Sequence, residues 1–419
     1  MEVDTAALRR ARLDAGLSLA QVAGPDLTRQ AVHLIETGKV RPTRRSLHII
    51  AERLGVPEWT LLTERGGMTD EAAIAELEAL CQRQEYPVAV DQAQRLLAAG
   101  GSDELMAYCH HYAGRALYLL ARPTEAIVHL REARTRFAGS GNPWWAAESM
   151  DWEAMVLQML EHASALRVGR KALRCYRALD PRRPETEARM LEHLGTICLG
   201  RREFEAGRQW YEAALQVDRG VRELVRMARI YHGLGMCHYG LHDLERAGEL
   251  LFRAITLYEA EQRIATIPLR WGLPQVEADR GVVALARGDL DRADEYLRAA
   301  LDHYAAAGME RMRSRTLLSF GELRHRQHRL DEALEFVVKA IECASSHEER
   351  LTVAVGYRQL GELYAARGDH DLADSAFQRA LAMLQDAGME ERLREVMRAY
   401  EHVLADRRQA RRRARSASA

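Results

Sequence analysis

A chain of 419 residues, 47% hydrophobic and 29% charged, has room for two or more domains and the balance of an ordinary soluble globular protein. Its net charge of −1 is unevenly spread: residues 1–65 hold ten Arg or Lys against eight Asp or Glu, residues 406–419 hold six Arg against Asp406, and the stretch between is left at −8. An acidic body excludes nucleic acid coating the whole surface, while contact at either end is permitted.

No apolar run is long enough to span a bilayer, and Met1-Glu-Val-Asp-Thr5 lacks the basic and apolar regions of a secretory leader. Cys81, Cys109, Cys175, Cys198, Cys237 and Cys343 are scattered, with no CxxC and no Cys/His pair at zinc spacing. They read as buried thiols in a reducing cytoplasm, where the protein is expected.

In the head, residues 1–65, Leu8, Leu13 and Leu17 recur near helical spacing, which predicts a first helix from Thr5 to Ala15. Ser18 can cap a second helix with Val22 and Ala23 facing inward, and Gly24-Pro25-Asp26 is a turn by composition. Thr28 caps a third helix, leaving Arg29 and Gln30 exposed in its first turn and Val32 and Ile35 buried. Gly38 fits the left-handed position that ends it. Pro42 opens a fourth helix with Leu47, Ile50 and Leu54 on one face, stopped by Gly55, and Pro57 starts a short fifth with Trp59, Leu61 and Leu62.

Gly66 and Gly67 begin a linker, residues 66–70, after which an internal repeat covers residues 71–403. Gly195, Gly235, Gly281, Gly321 and Gly361 are separated by 40, 46, 40 and 40 residues. Twelve residues after the last four stand Ala247, Ala293, Ala333 and Ala373, and seven further on Ala254, Ala300, Ala340 and Ala380. Gly114, Ala126 and Ala133 repeat the pattern, and a degenerate copy surrounds Trp152, Ala165 and Ala172. Small residues at these points let two antiparallel helices approach closely, with Leu251, Leu297, Val337 and Phe377 filling the space beside them.

Two segments interrupt the repeat. Ala265 to Pro274 occupies the longer interval, and Gly141-Asn142-Pro143-Trp144-Trp145 concentrates aromatics that are expected to pack in the core. The Arg-rich tail, residues 404–419, reads as disordered.

Leu17-Ser18, Val22-Ala23, Val32, Ile35-Glu36, Gly38, Pro42 and Leu54-Gly55-Val56 together resemble the Cro/repressor-like (XRE) helix-turn-helix family. The resemblance implies that Thr28, Arg29, Gln30 and His33 contact base edges in the major groove, Arg favouring guanine and Gln adenine. It places Ser18, Lys39, Arg41, Arg44 and Arg45 at the phosphates. Leu19 departs from the family, which commonly has a phosphate-touching Gln there, and the turn after helix two is about a residue short.

The glycine–alanine pattern, fullest from Leu360-Gly-Glu-Leu-Tyr364 to Ala380, resembles the tetratricopeptide repeat, with a period longer than the usual length of about 34 residues. The fold expected is therefore all-α: a small five-helix head followed by a right-handed α-solenoid of about seven helix pairs. Its first-helix positions form a candidate effector groove: Tyr108, His111, Arg115, Tyr118, Arg189, Glu192, Arg229, His232, Tyr239, Arg315, Glu322, His325, Arg358 and Glu362.

Head and repeats together resemble bacterial regulators of the Rap/Rgg/PlcR type. The resemblance implies a homodimeric transcription regulator with double-stranded DNA and a peptide or protein effector as partners. Such receptors clamp peptide backbone with groove asparagines, and Asn142 is the only Asn here. The alternative is a tetratricopeptide adaptor whose head does not read DNA. No P-loop, metal-ligand set or nucleophile motif is present; His110 and His111 cannot face one site, and His325 and His328 lack completing ligands. Neither an enzyme nor a cofactor or metal is expected.

Overall fold

The computed structural model describes residues 3–61, 69–217, 223–264, 272–306, 309–347, 349–386 and 390–417, and they are all-α with no strand element. In the head, Asp4 caps α1 (Thr5–Asp14), Ser18 caps α2 (Leu19–Ala23), Thr28 caps α3 (Arg29–Glu36) and Thr43 caps α4 (Arg44–Leu54). Each side-chain oxygen accepts from an N–H of the first turn that has no partner within the helix. Pro42 does not open α4; the Thr43 hydroxyl takes the Ser46 N–H, so the helix starts after it.

A 3-10 turn, Glu58–Leu61, brings the chain back so that the Asp4 N–H donates to the Leu61 carbonyl at 3.0 Å. Leu8, Val22, Val32, Ile35, Leu47, Ile50 and Leu61 are at most 3% exposed and form the head's core. Leu13, one of the three leucines at helical spacing, is 58% exposed. The Trp59 side chain and Leu62 lie outside the described residues.

Of the linker, residues 66–68 lie outside the described residues; Thr69 caps the next helix and Asp70 is already its first residue. The chain divides into two compact units, residues 1–160 with 174–179 and residues 161–173 with 180–419. After the head, the first unit contains α5 (Asp70–Gln82), α6 (Tyr86–Ala99), α7 (Asp103–Leu119), α8 (Pro123–Gly139) and α9 (Pro143–Met159). Of α10 (Ala165–Arg177), residues 165–173 belong to the second unit and residues 174–177 to the first.

The second unit continues with α11 (Pro184–Gly200), α12 (Phe204–Val217), α13 (Leu224–Gly240), α14 (Leu244–Ile264), α15 (Leu273–Arg287), α16 (Leu290–Ala306), α17 (Glu310–Arg326), α18 (Leu330–Ser346), α19 (Arg350–Arg367), α20 (His370–Asp386) and α21 (Glu390–Ala417). Among the described residues the helices pack as seven hairpins, α5 with α6, α7 with α8, α11 with α12, α13 with α14, α15 with α16, α17 with α18 and α19 with α20. The first of them, α5 and α6, lacks the glycine of the signature.

The repeat signature has a direct packing meaning. A Cβ built on Gly114, Gly195, Gly235, Gly281, Gly321 or Gly361 would collide with the residue sixteen further on: Leu130, Tyr211, Leu251, Leu297, Val337 or Phe377. The bulky side chain of each second helix lies on the bare backbone of the first. At Gly281, alanine would put its methyl 2.6 Å from Leu297 Cγ. Helix propensity alone favours that change by about 1 kcal/mol, but overpacking a filled core costs about 1–3 kcal/mol. We expect Gly281→Ala to lower the urea midpoint, whereas Gly139→Ala, with no heavy atom within 4 Å, raises it through a gain of about 0.5 kcal/mol. The same sign at both positions would disprove the packing role.

A second regularity lies seven residues after each glycine. Ala121, Arg202, His242, Gly288, His328 and Gly368 all have positive φ, between 56° and 91°, and make the turn from first to second helix. The four non-glycine residues hold the left-handed conformation at a cost of about 1 kcal/mol each.

Three other expectations change. The Arg-rich tail is not a disordered segment: α21 runs to Ala417, and Arg407 Nη1 pairs with Asp374 Oδ2 at 3.3 Å. Side chains beyond Gln409 lie outside the described residues. Cys175 is exposed and Cys343 half-buried, so the thiols are not uniformly buried. Of the proline-containing insertion, residues 265–271 including Pro268 and Trp271 lie outside the described residues, while Pro274 is buried at the start of α15. Among the described residues no helix is long and apolar enough to cross a membrane.

Candidate functional sites: the exposed face of the head and the polar face of the first helices

The head aims α3 through two arginines. Arg12 on α1 donates two hydrogen bonds to Glu36 on α3, at 2.8 and 2.7 Å, and a third at 3.1 Å to the Leu17 carbonyl before α2. One largely buried fork thus fixes three segments, and Glu36 drives up the affinity of Arg12 for its proton. Arg53 on α4 donates to the last carbonyls of α2, Val22 at 3.0 Å and Ala23, and pairs with Asp26. The short turn is therefore fastened by a guanidinium in place of a longer loop. Gly24 is required there, because its φ is +48° and a Cβ would fall onto Arg53.

What this frame leaves outside is the start of α3. Arg29, Gln30 and His33 are exposed, as are Lys39 and Arg45, and among the described residues none of the five makes a side-chain hydrogen bond or ion pair. Thr28 is exposed with its oxygen accepting from Ala31 N at 3.0 Å, so its hydroxyl proton is still available to donate. Ser18 is used in a capping box with Gln21, accepting at 3.3 Å and donating its own N–H at 2.8 Å. Arg41 is exposed, and the Arg44 side chain lies outside the described residues. Leu19 is half-buried against the head's core, which suits an apolar residue in place of a phosphate contact.

In the first unit the groove candidates belong largely to an aromatic core. Tyr108 meets Phe137 and Trp145 edge-on at 5.0 and 4.9 Å. His111 is 1% exposed and bonded through Nδ1 to Ser149 Oγ at 2.9 Å, so it is not available to a ligand, contrary to expectation. Arg115 and Tyr118 both lie on Trp152, at 5.2 and 5.6 Å. Asn142 caps α9, accepting from Trp145 N at 3.4 Å, and is not a groove residue.

In the second unit several candidates pair with one another. Arg229 on α13 donates to both oxygens of Glu192 on α11, at 2.6 and 3.1 Å. Glu192 is 4% exposed and spent on this pair, another departure from expectation. His232 Nε2 lies 2.7 Å from Asp279 Oδ2, Gln275 donates to the same oxygen at 3.3 Å, and the Tyr304 hydroxyl donates to Gln275 at 3.1 Å. Glu322 accepts from Arg326 at 2.6 Å, and Arg358 pairs with Glu362. Arg189, Tyr239 and His325 are half-buried, and Arg315 is exposed. Asp279, Gln275 and Tyr304 were not anticipated, since only the packing of α15 on α13, and of α16 on α15, connects them to His232.

Burial pushes the Glu192 and Asp279 carboxyls up, but their partners outweigh it. Arg229, with His193 and Arg226 behind it, holds Glu192 below the usual range; His232, Arg315 and Gln275 do the same for Asp279. A carboxylate lowered in the folded state contributes stability at neutral pH and loses it as pH falls below the ordinary values of 4.5 and 3.8 and on through the folded ones. We expect the urea midpoint to drop from about pH 4.5 downward, with a shallower fall in Glu192→Gln. An unchanged pH profile in that variant would remove Glu192 from the account.

Residues 5–61 match the profile of a helix-turn-helix domain, and residues 186–260 and 312–386 match that of the tetratricopeptide repeat. The head therefore carries a helix-turn-helix domain, and the matched stretches of the body are tetratricopeptide repeats. No curated protein matches the sequence. Among solved structures, a Rap protein complexed with competence and sporulation factor superposes with a TM-score of 0.61 at 13% identity, over 93% of this chain and 99% of that one. The apo form of the quorum sensor NprR from B. thuringiensis gives 0.59 at 14% identity, over 90% and 98%. A signal transduction ATPase with numerous domains and a tetratricopeptide repeat sensor, from Pyrococcus horikoshii, gives 0.54 at 12% identity, over 97% and 74%. At these identities the likeness is one of fold.

Proposed function

We propose that this chain is a sequence-specific DNA-binding transcription regulator whose tetratricopeptide body binds a peptide or protein effector and pairs two copies. The observation that carries the reading is the start of α3, where Arg29, Gln30 and His33 stand exposed and, among the described residues, uncommitted, on a helix tied to α1 by Arg12 and preceded by a turn that Arg53 fastens. Arg and Gln are the side chains whose geometry matches guanine and adenine edges. The effector role is supported by the fold shared with the Rap protein, solved with a bound factor, and with the quorum sensor NprR. Two copies are expected because one such head contacts too few bases for tight specific binding. The protein works in the cytoplasm, by binding and without catalysis.

The test is capture of random genomic fragments by the purified full chain at two salt concentrations. A recurring motif, bound less tightly as salt rises, is the expected result. Capture without any enriched motif would sink the regulator reading. It would favour the adaptor alternative, to which the inward-packed Leu19 lends its weight.

A further inference from the structure

The last helix, α21, packs on α19 and α20 through Leu393, Val396, Tyr400 and Val403. Asp374 on α20 fixes its rotation, accepting from the Tyr400 hydroxyl at 3.1 Å and pairing with Arg407 at 3.3 Å. At about 3.6 residues per turn, Arg394, Arg398, Arg408, Arg412 and Arg415 then share a different side, within roughly 100° of one another. The exposure of Arg394, Arg398 and Arg408 agrees with that phase, and Arg394, Met397, Arg398 and Glu401 line one open depression. With a rise of about 1.5 Å per residue, the arginine row runs for roughly 30 Å.

Between Arg394 and Arg415 the sequence puts one acid, Glu401, and one bulky apolar residue, Met397, within that arc. The row is thus of nearly one sign, although residues 66–405 as a whole carry −8. Cations in a line repel one another and gain from a partner of closely spaced negative charge. A single Met is too little for a protein interface, which needs a core of apolar and aromatic anchors. The apolar side of α21 is already spent on α19 and α20, so none is left to enter a bilayer. What fits is a polyanion, and guanidinium forks match phosphate oxygens.

We propose that this face of α21 holds the phosphate backbone of duplex DNA, a sequence-independent contact separate from base reading by α3. The choice of duplex DNA among polyanions rests on the regulator reading above. The phosphate contacts of the chain are then not confined to its head.

Fluorescence anisotropy of the full chain with a scrambled DNA duplex, across a series of NaCl concentrations, tests the contact. Arg408→Gln, Arg412→Gln and Arg415→Gln together should lower the slope of log affinity against log salt by about 2.7, roughly 0.9 for each of three phosphates. Gln is close to Arg in helix propensity, so circular dichroism should not change. A charge-matched control, Arg246→Gln with Arg292→Gln and Arg329→Gln, removes three exposed arginines from elsewhere in the second unit. Its slope should stay within about 1 of the natural chain's. An unchanged slope in the α21 variant, or an equal fall in the control, overturns the proposal. Duplex RNA and polyglutamate complete the panel, and an α21 variant that loses affinity for either of them while keeping it for DNA overturns the choice of DNA. A fall in slope without any motif in the genomic capture sustains the basic face and sinks the regulator reading. A motif with an unchanged slope does the reverse.

Discussion

Replacing Arg29 and Gln30 together by alanine is expected to abolish sequence preference while leaving the fold intact. Each bidentate base contact is worth about 1–3 kcal/mol of discrimination, so losing two should lower the preference for a cognate over a scrambled duplex by roughly thirtyfold or more. Affinity for the scrambled duplex should fall far less, because the phosphates supply most of it. Arg45→Ala should do the opposite, weakening both duplexes alike and reducing the salt slope by about 1. Both helix positions are exposed and unpartnered, so urea midpoints should stay within about 0.5 kcal/mol. Fluorescence anisotropy across a salt series reads all of these. A double variant that keeps the preference would show that α3 is not the reading helix. The acidic body sharpens the contrast: at −8 it repels DNA, which confines attraction to the basic segments.

Arg229→Ala should produce the largest single loss of stability in the body. It strips both hydrogen bonds from Glu192, which is 4% exposed, and leaves a buried carboxylate facing only Arg226 and His193. Breaking a buried pair from one side costs about 3–5 kcal/mol. Because the Arg229 side chain is 41% exposed, water reaches the pair and the lower end applies, about 3 kcal/mol. The double variant Arg229→Leu with Glu192→Leu should lose markedly less than Arg229→Ala, since it leaves no orphaned charge. Urea denaturation of the three chains decides the matter, and equal losses in the single and double variants would mean that packing, not charge, is at stake.

The elements that local chemistry governs were legible in the sequence. Ser18 and Thr28 cap where their types predict, and Gly38 and Gly55 end helices in the left-handed conformation. The glycine–alanine lattice was equally visible, because close helix approach forbids a Cβ at fixed points. Contacts between distant residues were not. Arg53 reaches back 31 residues to Val22, and Arg12 reaches 24 to Glu36, and no periodicity marks either pair. For the same reason, spacing put Glu192 and His111 on the first-helix face but could not show that Arg229 and Ser149 would engage them. In the tail, residues 404–419, composition suggested disorder, but the helix that precedes it is docked by Leu393, Val396, Tyr400 and Val403, and Ala and Arg carry α21 onward to Ala417 at low propensity cost.

The contact between each glycine and the bulky residue sixteen positions later also bears on how the chain folds. All such contacts close short loops within one hairpin, so little loop-closure entropy opposes them and the contact order of the body is low. Hairpins can therefore assemble in the order in which they leave the ribosome, each adding to the pair before it. Neighbouring repeats in such an array risk exchanging partners. Here the bulky member varies between Leu, Tyr, Val and Phe, so a hairpin formed with the wrong second helix would meet a side chain of the wrong size. Variation at that one position sets the Tyr211, Val337 and Phe377 repeats apart from their neighbours, while the adjacent Leu251 and Leu297 repeats share one side chain.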